Sequence, residues 1–198
     1  MITVEPLGPL VPGPAAAGVV CLAANNNLDL VRFGDRLWFA WRTAPSHFAS
    51  ADARIEVSSA PGVDGPWRHE TTVSLGADLR EPRWVVAGDP LQLWFMRLGT
   101  DPKRFQPGGV HRVSTDGTGW SQPECVFPDG VVPWRLRRLR GRWALIGYRG
   151  AEKMYSARPA DPVVEGRWSE DLEVWDPPGD VHPGGTECEL VELRDGRL

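Results

Sequence analysis

The chain has few lysines and no closely spaced cysteines, and each of these features argues against a class of function. The three cysteines, Cys21, Cys125 and Cys188, are odd in number and show no C-x-x-C spacing. We therefore expect no metal site, no disulfide framework and no cofactor. Lys103 and Lys153 are the only lysines among 22 basic residues, and the formal net charge is −4. Because binding to a phosphate backbone needs a basic field, nucleic acid is not expected as a partner.

Long apolar runs are also missing. The apolar segment 15–24 is too short to span a membrane. The N-terminus carries Glu5 and has no basic region before an apolar stretch, so no signal peptide is evident. We expect a soluble, cytoplasmic protein with no membrane partner, while secretion after removal of a leader stays open.

The chain is instead rich in tryptophan, glycine and proline, with 10, 22 and 19 of them. Three aromatic segments with strand character, at 37–42, 93–97 and 143–149, each end in arginine. These arginines lie 55 (97 − 42) and 52 (149 − 97) positions apart. A fixed period of this size, built from short strands, is typical of a β-propeller.

Each repeat follows the same order of strands. An inner strand is predicted at 28–33, 83–86, 134–139 and 189–193, followed by a tight turn with Gly or Asp and then by the aromatic strand. A third strand ending in serine is predicted at 55–58, 110–114 and 154–156. Segments with glycine before tryptophan, at 65–67, 118–120 and 166–168, then lead outwards. The alternation has period two, and no helix is predicted.

The predicted fold is therefore all-β, one β-propeller domain of four-stranded antiparallel blades over residues 1–198. Blades are expected at about 25–76, 77–130 and 131–180, with the start of a fourth at about 185–198. About three and a half blades cannot close a ring, since propellers have four or more. We expect an incomplete propeller that belongs to a longer protein.

One turn resembles the Asp-box of sialidase-like propellers, Ser-x-Asp-x-Gly-x-Thr-Trp. Residues 114–120 read Ser-Thr-Asp-Gly-Thr-Gly-Trp, one residue shorter than that box. In the family the box is structural: its Ser and Asp cap a hairpin turn, and its Trp packs between blades. The resemblance supports the fold and does not indicate a chemistry.

Residues 187–198 resemble sialidases more specifically. They read Glu-Cys-Glu-Leu-Val-Glu-Leu-Arg-Asp-Gly-Arg-Leu, similar to the sialidase segment in which a catalytic glutamate opens a strand. The resemblance implies that Glu187 activates a tyrosine nucleophile. That tyrosine, and an arginine of the family's carboxylate-binding triad, would follow Leu198. The alternative is that Glu187 is a polar residue at a strand entrance.

Residues 42–54 correspond to the mobile loop that carries the acid/base aspartate in sialidases. By this resemblance Asp52 takes the acid/base role, and His47 would hydrogen-bond a sugar or a bound water. The alternative for both residues is that they belong to a solvated loop, and for His47 this is the preferred interpretation. The family's Arg-Ile-Pro sequence is replaced at 25–29 by Asn-Asn-Asn-Leu-Asp, so the substrate need not be a sialoside.

The fold alone adds substrate-binding candidates, because the start of each inner strand faces the channel mouth. These are Asn27, Asp29, Asp78, Arg80, Glu81 and Arg135. Carboxylates that alternate with arginines suit a carbohydrate or another small polar or anionic ligand. Arg42 is a further candidate, although it could instead form ion pairs between blades, as could Arg97 and Arg149.

Three functions stay open. The first is a sialidase-like, retaining glycoside hydrolase with a tyrosine nucleophile, acting on a terminal sugar in the channel mouth. The second is a five-bladed glycosidase of the arabinanase or fructosidase type, in which three carboxylates act; Asp29, Glu81 and Glu187 stand in matching order. The third is a non-catalytic propeller that binds carbohydrate or protein. The sequence does not indicate the oligomeric state.

Overall fold

The computed structural model describes residues 8–128, 130–155 and 161–198. Within these ranges the chain forms twelve strands and two short 3-10 turns, at Pro14–Ala16 and Ala151–Lys153. The strands are β1 (Ala24–Phe33), β2 (Arg36–Ala44), β3 (Arg54–Ala60), β4 (Arg68–Val73), β5 (Leu79–Val86), β6 (Leu91–Leu98), β7 (Pro107–Thr115), β8 (Glu124–Phe127), β9 (Val132–Leu139), β10 (Arg142–Arg149), β11 (Val163–Ser169) and β12 (Gly179–Pro183). In the described part of the chain, no helix has the length and apolar character needed to cross a membrane.

The strands form three antiparallel sheets of four, each in simple up-and-down order. We call β1–β4 blade 1, β5–β8 blade 2 and β9–β12 blade 3. Tight turns connect the first and second strands of each sheet; between β9 and β10, for example, Arg140 and Gly141 have φ values of 50° and 77°, as a two-residue hairpin turn requires. The first strands of the sheets, β1, β5 and β9, lie side by side. The fold is that of a β-propeller, as the sequence predicts.

Aromatic rings fill the two interfaces between blades. Successive residues of a strand face opposite sides of a sheet, so every second residue of a middle strand enters the same interface. The rings are Trp38, Trp84 and Trp120 between blades 1 and 2, and Trp94, Phe127 and Trp175 between blades 2 and 3. Ring centroids lie 6.1–6.3 Å apart in the first group and 5.4–6.5 Å apart in the second. Burial of such side chains contributes about 1.5–3 kcal/mol each, so these cores hold the blades together.

The outward faces of blades 1 and 3 are covered by other segments of the chain. On blade 1, Ala15 packs against Phe39 and Trp41. On blade 3, Cys188 packs against the cluster that contains Ile146. Apolar residues on the second face of each outer sheet are therefore shielded from water.

The third strand of blade 3 is not where the sequence predicts it. The prediction at 154–156 is wrong, since Met154 and Tyr155 lie in a turn; Ser156 falls outside the described residues. The third strand is β11, which contains residues 166–168, predicted to lead outwards. The cause is a longer connection after Arg149 than in blades 1 and 2, which moves the strand towards the C-terminus.

The inner strand predicted at 189–193 is also absent from the described structure. A turn does form after it, in which the Leu193 N–H donates to the Arg197 carbonyl over 2.8 Å. The segment lies beside β9 through side chains: the backbone N–H of Arg140 donates to Glu192 Oε2 over 2.8 Å. A strand requires backbone pairing, and none of the described strands pairs with this segment.

The Asp-box-like turn has a counterpart in blade 3 that the sequence analysis did not identify. In blade 2, Asp116 accepts hydrogen bonds from the N–H and hydroxyl groups of Thr118 over 2.8 and 2.7 Å. In blade 3, Asp171 accepts from the backbone N–H groups of Glu173 and Val174 over 2.8 and 2.9 Å. Both turns read Ser-x-Asp-x-x-x-Trp, and they start 55 (169 − 114) positions apart.

Leu172 explains why this second turn is difficult to recognise in the sequence. The residue after each aspartate has a left-handed backbone, with φ of 92° at Gly117 and 72° at Leu172. Glycine adopts this conformation without strain, whereas leucine does not. The Leu172 side chain is fully buried in the core between blades 2 and 3, and this burial offsets the strain.

Candidate functional site

The three inner strands share an irregularity at the same point. Asn27 in β1, Glu81 with Pro82 in β5, and Trp134 in β9 are each skipped in the pairing with the next strand. The intervals are 54 (81 − 27) and 53 (134 − 81) positions, and Glu187 follows after another 53 (187 − 134). Such β-bulges turn a side chain out of the regular alternation. The repeat therefore brings one residue of each unit to the same level of the channel mouth.

The backbone at three of these positions is left-handed. The φ values are 44° at Asn27, 51° at Glu81 and 57° at Glu187. Asparagine tolerates this conformation, whereas a glutamate rarely adopts it. Strain of this kind costs on the order of 1–3 kcal/mol and is concentrated at functional sites. Two strained glutamates at equivalent positions of the repeat point to a site here.

Glu81 lies at the centre of this site and is only 6% exposed. Its Oε1 accepts a hydrogen bond from Asn27 Nδ2, and its Oε2 accepts one from Arg83 Nη2 over 2.7 Å. Arg83 also donates from Nε to the Trp134 carbonyl over 2.7 Å. Burial raises the pKa of the Glu81 carboxyl; the Arg83 guanidinium opposes this rise, and the Glu187 carboxylate adds to it. Glu81 and Arg83 together thus connect the three blades, and Glu81 interacts with Glu187.

Tyr148 lies behind these two glutamates. It is 4% exposed and packs between blades 2 and 3. Burial raises the pKa of its hydroxyl, and the carboxylates of Glu187 and Glu81 raise it further. Tyr148 is therefore protonated at neutral pH, so it can donate a hydrogen bond but does not supply a phenolate. Glu187 itself is exposed.

Asp29 and Arg135 line a cavity of about 310 Å³ along the inner strands. Asp29 Oδ2 accepts the backbone N–H of Trp84 over 2.8 Å. Burial raises the pKa of the Asp29 carboxyl, and the hydrogen bond from Trp84 opposes the rise. Arg135 donates from Nη1 to the Trp134 carbonyl over 3.0 Å and pairs with Glu189 over 3.3 Å. The structure therefore places both predicted residues on the channel wall.

Arg42, Asp78 and Arg80 form a buried ionic network. Arg42 and Asp78 are fully buried, and Arg80 is 7% exposed. Asp78 Oδ1 accepts a hydrogen bond from Arg42 Nε over 2.8 Å, and Oδ2 accepts one from Arg80 Nε over 2.7 Å. One carboxylate thus neutralises part of the charge of two guanidinium groups away from water.

The remaining N–H groups of the two arginines hold a loop. Arg42 donates to the carbonyls of Ser46 and Phe48 over 3.3 and 3.1 Å. Arg80 donates to the carbonyl between them, that of His47, over 2.6 Å. Arg42 and Arg80 are therefore positioning residues for the loop after β2, and direct contact of either with a substrate stays a prediction.

His47 and Asp52 both lie on this loop, and both are exposed. The Asp52 backbone N–H donates to Ser50 Oγ over 3.2 Å. Among the described residues, no hydrogen bond or ion pair reaches its carboxylate. The carboxylates of Asp29 and Glu81 accept hydrogen bonds from neighbouring strands, and that of Asp52 does not. The catalytic role of Asp52 stays a prediction.

Arg83, Trp134 and Tyr148 belong to the site but were not among the sequence-based site candidates. Arg83 and Arg135 lie 5.4 and 5.5 Å from the centre of the Trp134 ring. The sequence did contain a signal for this group: Asn27, Glu81, Trp134 and Glu187 follow each other at intervals of 53 or 54. Their chemical difference hides this regularity in the sequence. In the structure, bulges mark the first three positions, and a left-handed backbone marks Glu187 as it does Asn27 and Glu81.

Three solved glycosidase structures share this fold. An exo-β-1,3-galactanase from Phanerochaete chrysosporium, solved with β-1,3-galactotriose, matches with a TM-score of 0.54 at 14% identity, over 81% of this chain and 36% of that one. A xylan β-1,4-xylosidase from Bacillus halodurans has a TM-score of 0.54 at 14% identity, over 85% and 35%. An α-L-arabinofuranosidase from Fusarium graminearum, solved with an iminosugar inhibitor, has a TM-score of 0.55 at 16% identity, over 80% and 51%.

The chain thus spans about a third to a half of the length of these structures. No protein-family model matches the sequence, and no curated protein matches it. At these identities the likeness is one of fold.

Proposed function

We propose that this chain forms part of a glycoside hydrolase of the arabinanase type, which acts on a terminal sugar at the propeller mouth through carboxyl groups. The observation that carries the proposal is the pair of strained glutamates, Glu81 and Glu187, at equivalent positions of the repeat, with interacting carboxylates. The fold shared with a galactanase, a xylosidase and an arabinofuranosidase supports it.

Each of the three carboxyl groups has a role that suits its surroundings. Glycoside hydrolysis needs one carboxylic acid to protonate the leaving oxygen and one carboxylate to attack the sugar or activate water. Glu187 is exposed and can reach the leaving oxygen as the acid. Asp29 lines the channel cavity and serves as the base or nucleophile. Both oxygens of Glu81 already accept hydrogen bonds, so Glu81 positions its neighbours.

This assignment replaces the sialidase-like mechanism as the preferred one. The tyrosine nucleophile that the resemblance implies is not Tyr148, whose buried hydroxyl is held in the protonated form and does not take that role. Among the described residues, no hydrogen bond or ion pair reaches the carboxylate of Asp52, the acid/base residue of the sialidase-like mechanism, whereas the carboxylate of Glu187 interacts with that of Glu81. A mechanism that uses carboxylates alone fits the described residues better.

The experiment is hydrolysis of an aryl-glycoside panel by the full-length protein and its Glu187→Gln variant. The panel contains arabinofuranoside, xyloside, β-galactoside, fructoside and sialoside substrates. We expect turnover of one neutral sugar class and a loss of about 10²–10⁴-fold in kcat for Glu187→Gln, the usual contribution of a general acid. Asp64→Asn is the matched control, because Asp64 is an exposed carboxylate in the turn between β3 and β4, at the other end of blade 1.

Two results would contradict the proposal. Sialoside turnover that collapses in Asp52→Asn would restore the sialidase-like mechanism. No turnover of any substrate, with measurable binding of the same sugars, would indicate the non-catalytic carbohydrate-binding propeller.

A further inference from the structure

Three aromatic side chains from three different blades meet at the mouth of the propeller. We call Phe48, Phe105 and Tyr155 the aromatic rim. The rings of Phe48 and Tyr155 lie 6.5 Å apart at 80°, and those of Phe105 and Tyr155 lie 5.8 Å apart at 75°. Both are edge-to-face contacts, a favourable geometry for aromatic pairs. The loops that follow β2, β6 and β10 each contribute one ring.

The aromatic rim presents a large apolar area to water. Phe48 is 51% exposed and Tyr155 is 42% exposed, whereas Phe105 is buried beneath them. A single exposed aromatic residue needs no explanation, but a cluster of rings at the mouth of a site does. The cluster therefore suggests a surface for a ligand.

The support beneath Phe48 is rigid. The Arg42–Asp78–Arg80 network holds the carbonyls of residues 46, 47 and 48, as described above. The Phe48 backbone is thus held before a ligand arrives, which reduces the entropy that binding must overcome. The same network is anchored to β1, because Arg42 Nη1 also donates to Asn26 Oδ1 over 3.3 Å.

A cavity lies against the aromatic rim and supplies polar groups. Its volume is about 510 Å³, and its walls include Phe105 and Tyr155 together with Lys103, Arg104, Gln106 and Glu152. The volume is within the range of about 300–1,000 Å³ found for small-molecule sites. Donors and acceptors that surround aromatic rings match a sugar, which has an apolar face of C–H groups and an edge of hydroxyls. An entirely apolar ligand would leave the charged groups without partners.

We infer that the aromatic rim and this cavity bind a second sugar unit of an oligosaccharide whose terminal unit lies at the mouth. The inference rests on the proposed function and makes it more specific: the preferred substrate is a chain of at least two sugars. Tyr155 stacks on the second unit, and the polar residues of the cavity bind its hydroxyls.

The experiment is calorimetric titration with oligosaccharides of one to four units from the arabinan, xylan and β-1,3-galactan series. The full-length protein, with Glu187→Gln to prevent turnover, is compared with two further variants in the same background, Tyr155→Ala and Tyr155→Phe. We expect tighter binding of two units than of one. In Tyr155→Ala this gain falls by roughly five- to tenfold, while binding of the single sugar is unchanged. Tyr155→Phe keeps the ring and therefore keeps the gain.

Equal affinity for one and two units would overturn the inference, as would equal affinities of the Tyr155→Ala and Tyr155→Phe variants. Binding by none of the three series would also count against it. Because titration requires no turnover, its failure can be separated from failure of the proposed function: length-dependent binding without hydrolysis contradicts only the latter. Thermal unfolding of both Tyr155 variants verifies that they fold.

Discussion

Asp78→Asn tests whether the ionic network of Arg42, Asp78 and Arg80 is closed to water. The substitution keeps the volume of the side chain and removes the charge that Arg42 and Arg80 share. Arg42 is fully buried and bonded to Asp78 over 2.8 Å, so its guanidinium would be left in the interior without a counter-charge. Breaking a buried pair in this way costs about 3–5 kcal/mol of the free energy of unfolding.

Urea denaturation followed by tryptophan fluorescence measures this cost. With a slope of about 2 kcal/mol per molar urea, a loss of 3–5 kcal/mol lowers the midpoint by about 1.5–2.5 M. The matched control is Arg197→Ala, which breaks an exposed pair with Asp195 at 2.9 Å, with side chains 75% and 55% exposed. Exposed pairs contribute about 0–1 kcal/mol, so its midpoint should change little.

A loss below about 1 kcal/mol in Asp78→Asn would refute this reasoning, because it would mean that water already reaches the network. A triple variant, Arg42→Met with Asp78→Leu and Arg80→Met, separates charge from packing, because Arg80 also pairs with Asp78 over 2.7 Å and would otherwise be left without a counter-charge. Replacing buried ionic groups by apolar residues is often neutral or stabilising, so the triple variant should regain most of the lost stability. It would still lack the donors that hold the loop carbonyls.

Two further predictions concern single residues. Because the pKa of Glu81 is raised, the folded state binds a proton more readily than the unfolded state. The free energy of unfolding therefore falls as the pH rises from the ordinary pKa of 4.5 through the raised one. Thermal unfolding between pH 4 and 7 should show a weaker fall in Glu81→Gln than in the unmodified protein, and parallel profiles would contradict the assignment. Leu172→Ala should cost about 2–5 kcal/mol in urea denaturation, because its side chain is fully buried between blades 2 and 3. Val174→Ala, at a side chain that is 74% exposed, should cost almost nothing, and a similar loss in both variants would argue against packing as the cause.

The fold follows from the sequence to a large extent because each blade repeats the same alternation. The aromatic strands at 37–42, 93–97 and 143–149 all lie within observed strands, since large apolar side chains at successive positions face both sides of a sheet and need two covered faces. Prediction fails in blade 3, where the connection after Arg149 is longer and Leu172 stands where blade 2 has a glycine. The length of this connection and the backbone strain tolerated at Leu172 both depend on tertiary packing, which local sequence patterns do not reveal.

The candidate site is harder to predict from the sequence than the fold is. Glu81 and Glu187 could be identified as acidic residues near strand entrances, but nothing in a glutamate indicates a left-handed backbone or a bulge. Arg42 could be read as a ligand for substrate or as a partner in an ion pair between blades. The structure shows the ion pair, with Asp78 at the start of blade 2, and adds the support of a loop. The residue with which an arginine pairs depends on the distances between blades, and these distances are set only when the chain folds.

The two interfaces between blades contain nearly the same group of aromatic rings. Because of this repetition, the cooperativity of unfolding extends mainly from one blade to the next. Along the sheets, each blade interacts with its immediate neighbours, so the molecule resembles a linear chain of coupled units whose stability is a sum of nearest-neighbour terms. A defect at Trp38 should therefore loosen one junction and leave the next unchanged. The contact of Phe48 with Tyr155 is different, because it joins blades 1 and 3 directly. A ligand bound there would couple the two ends of the arc.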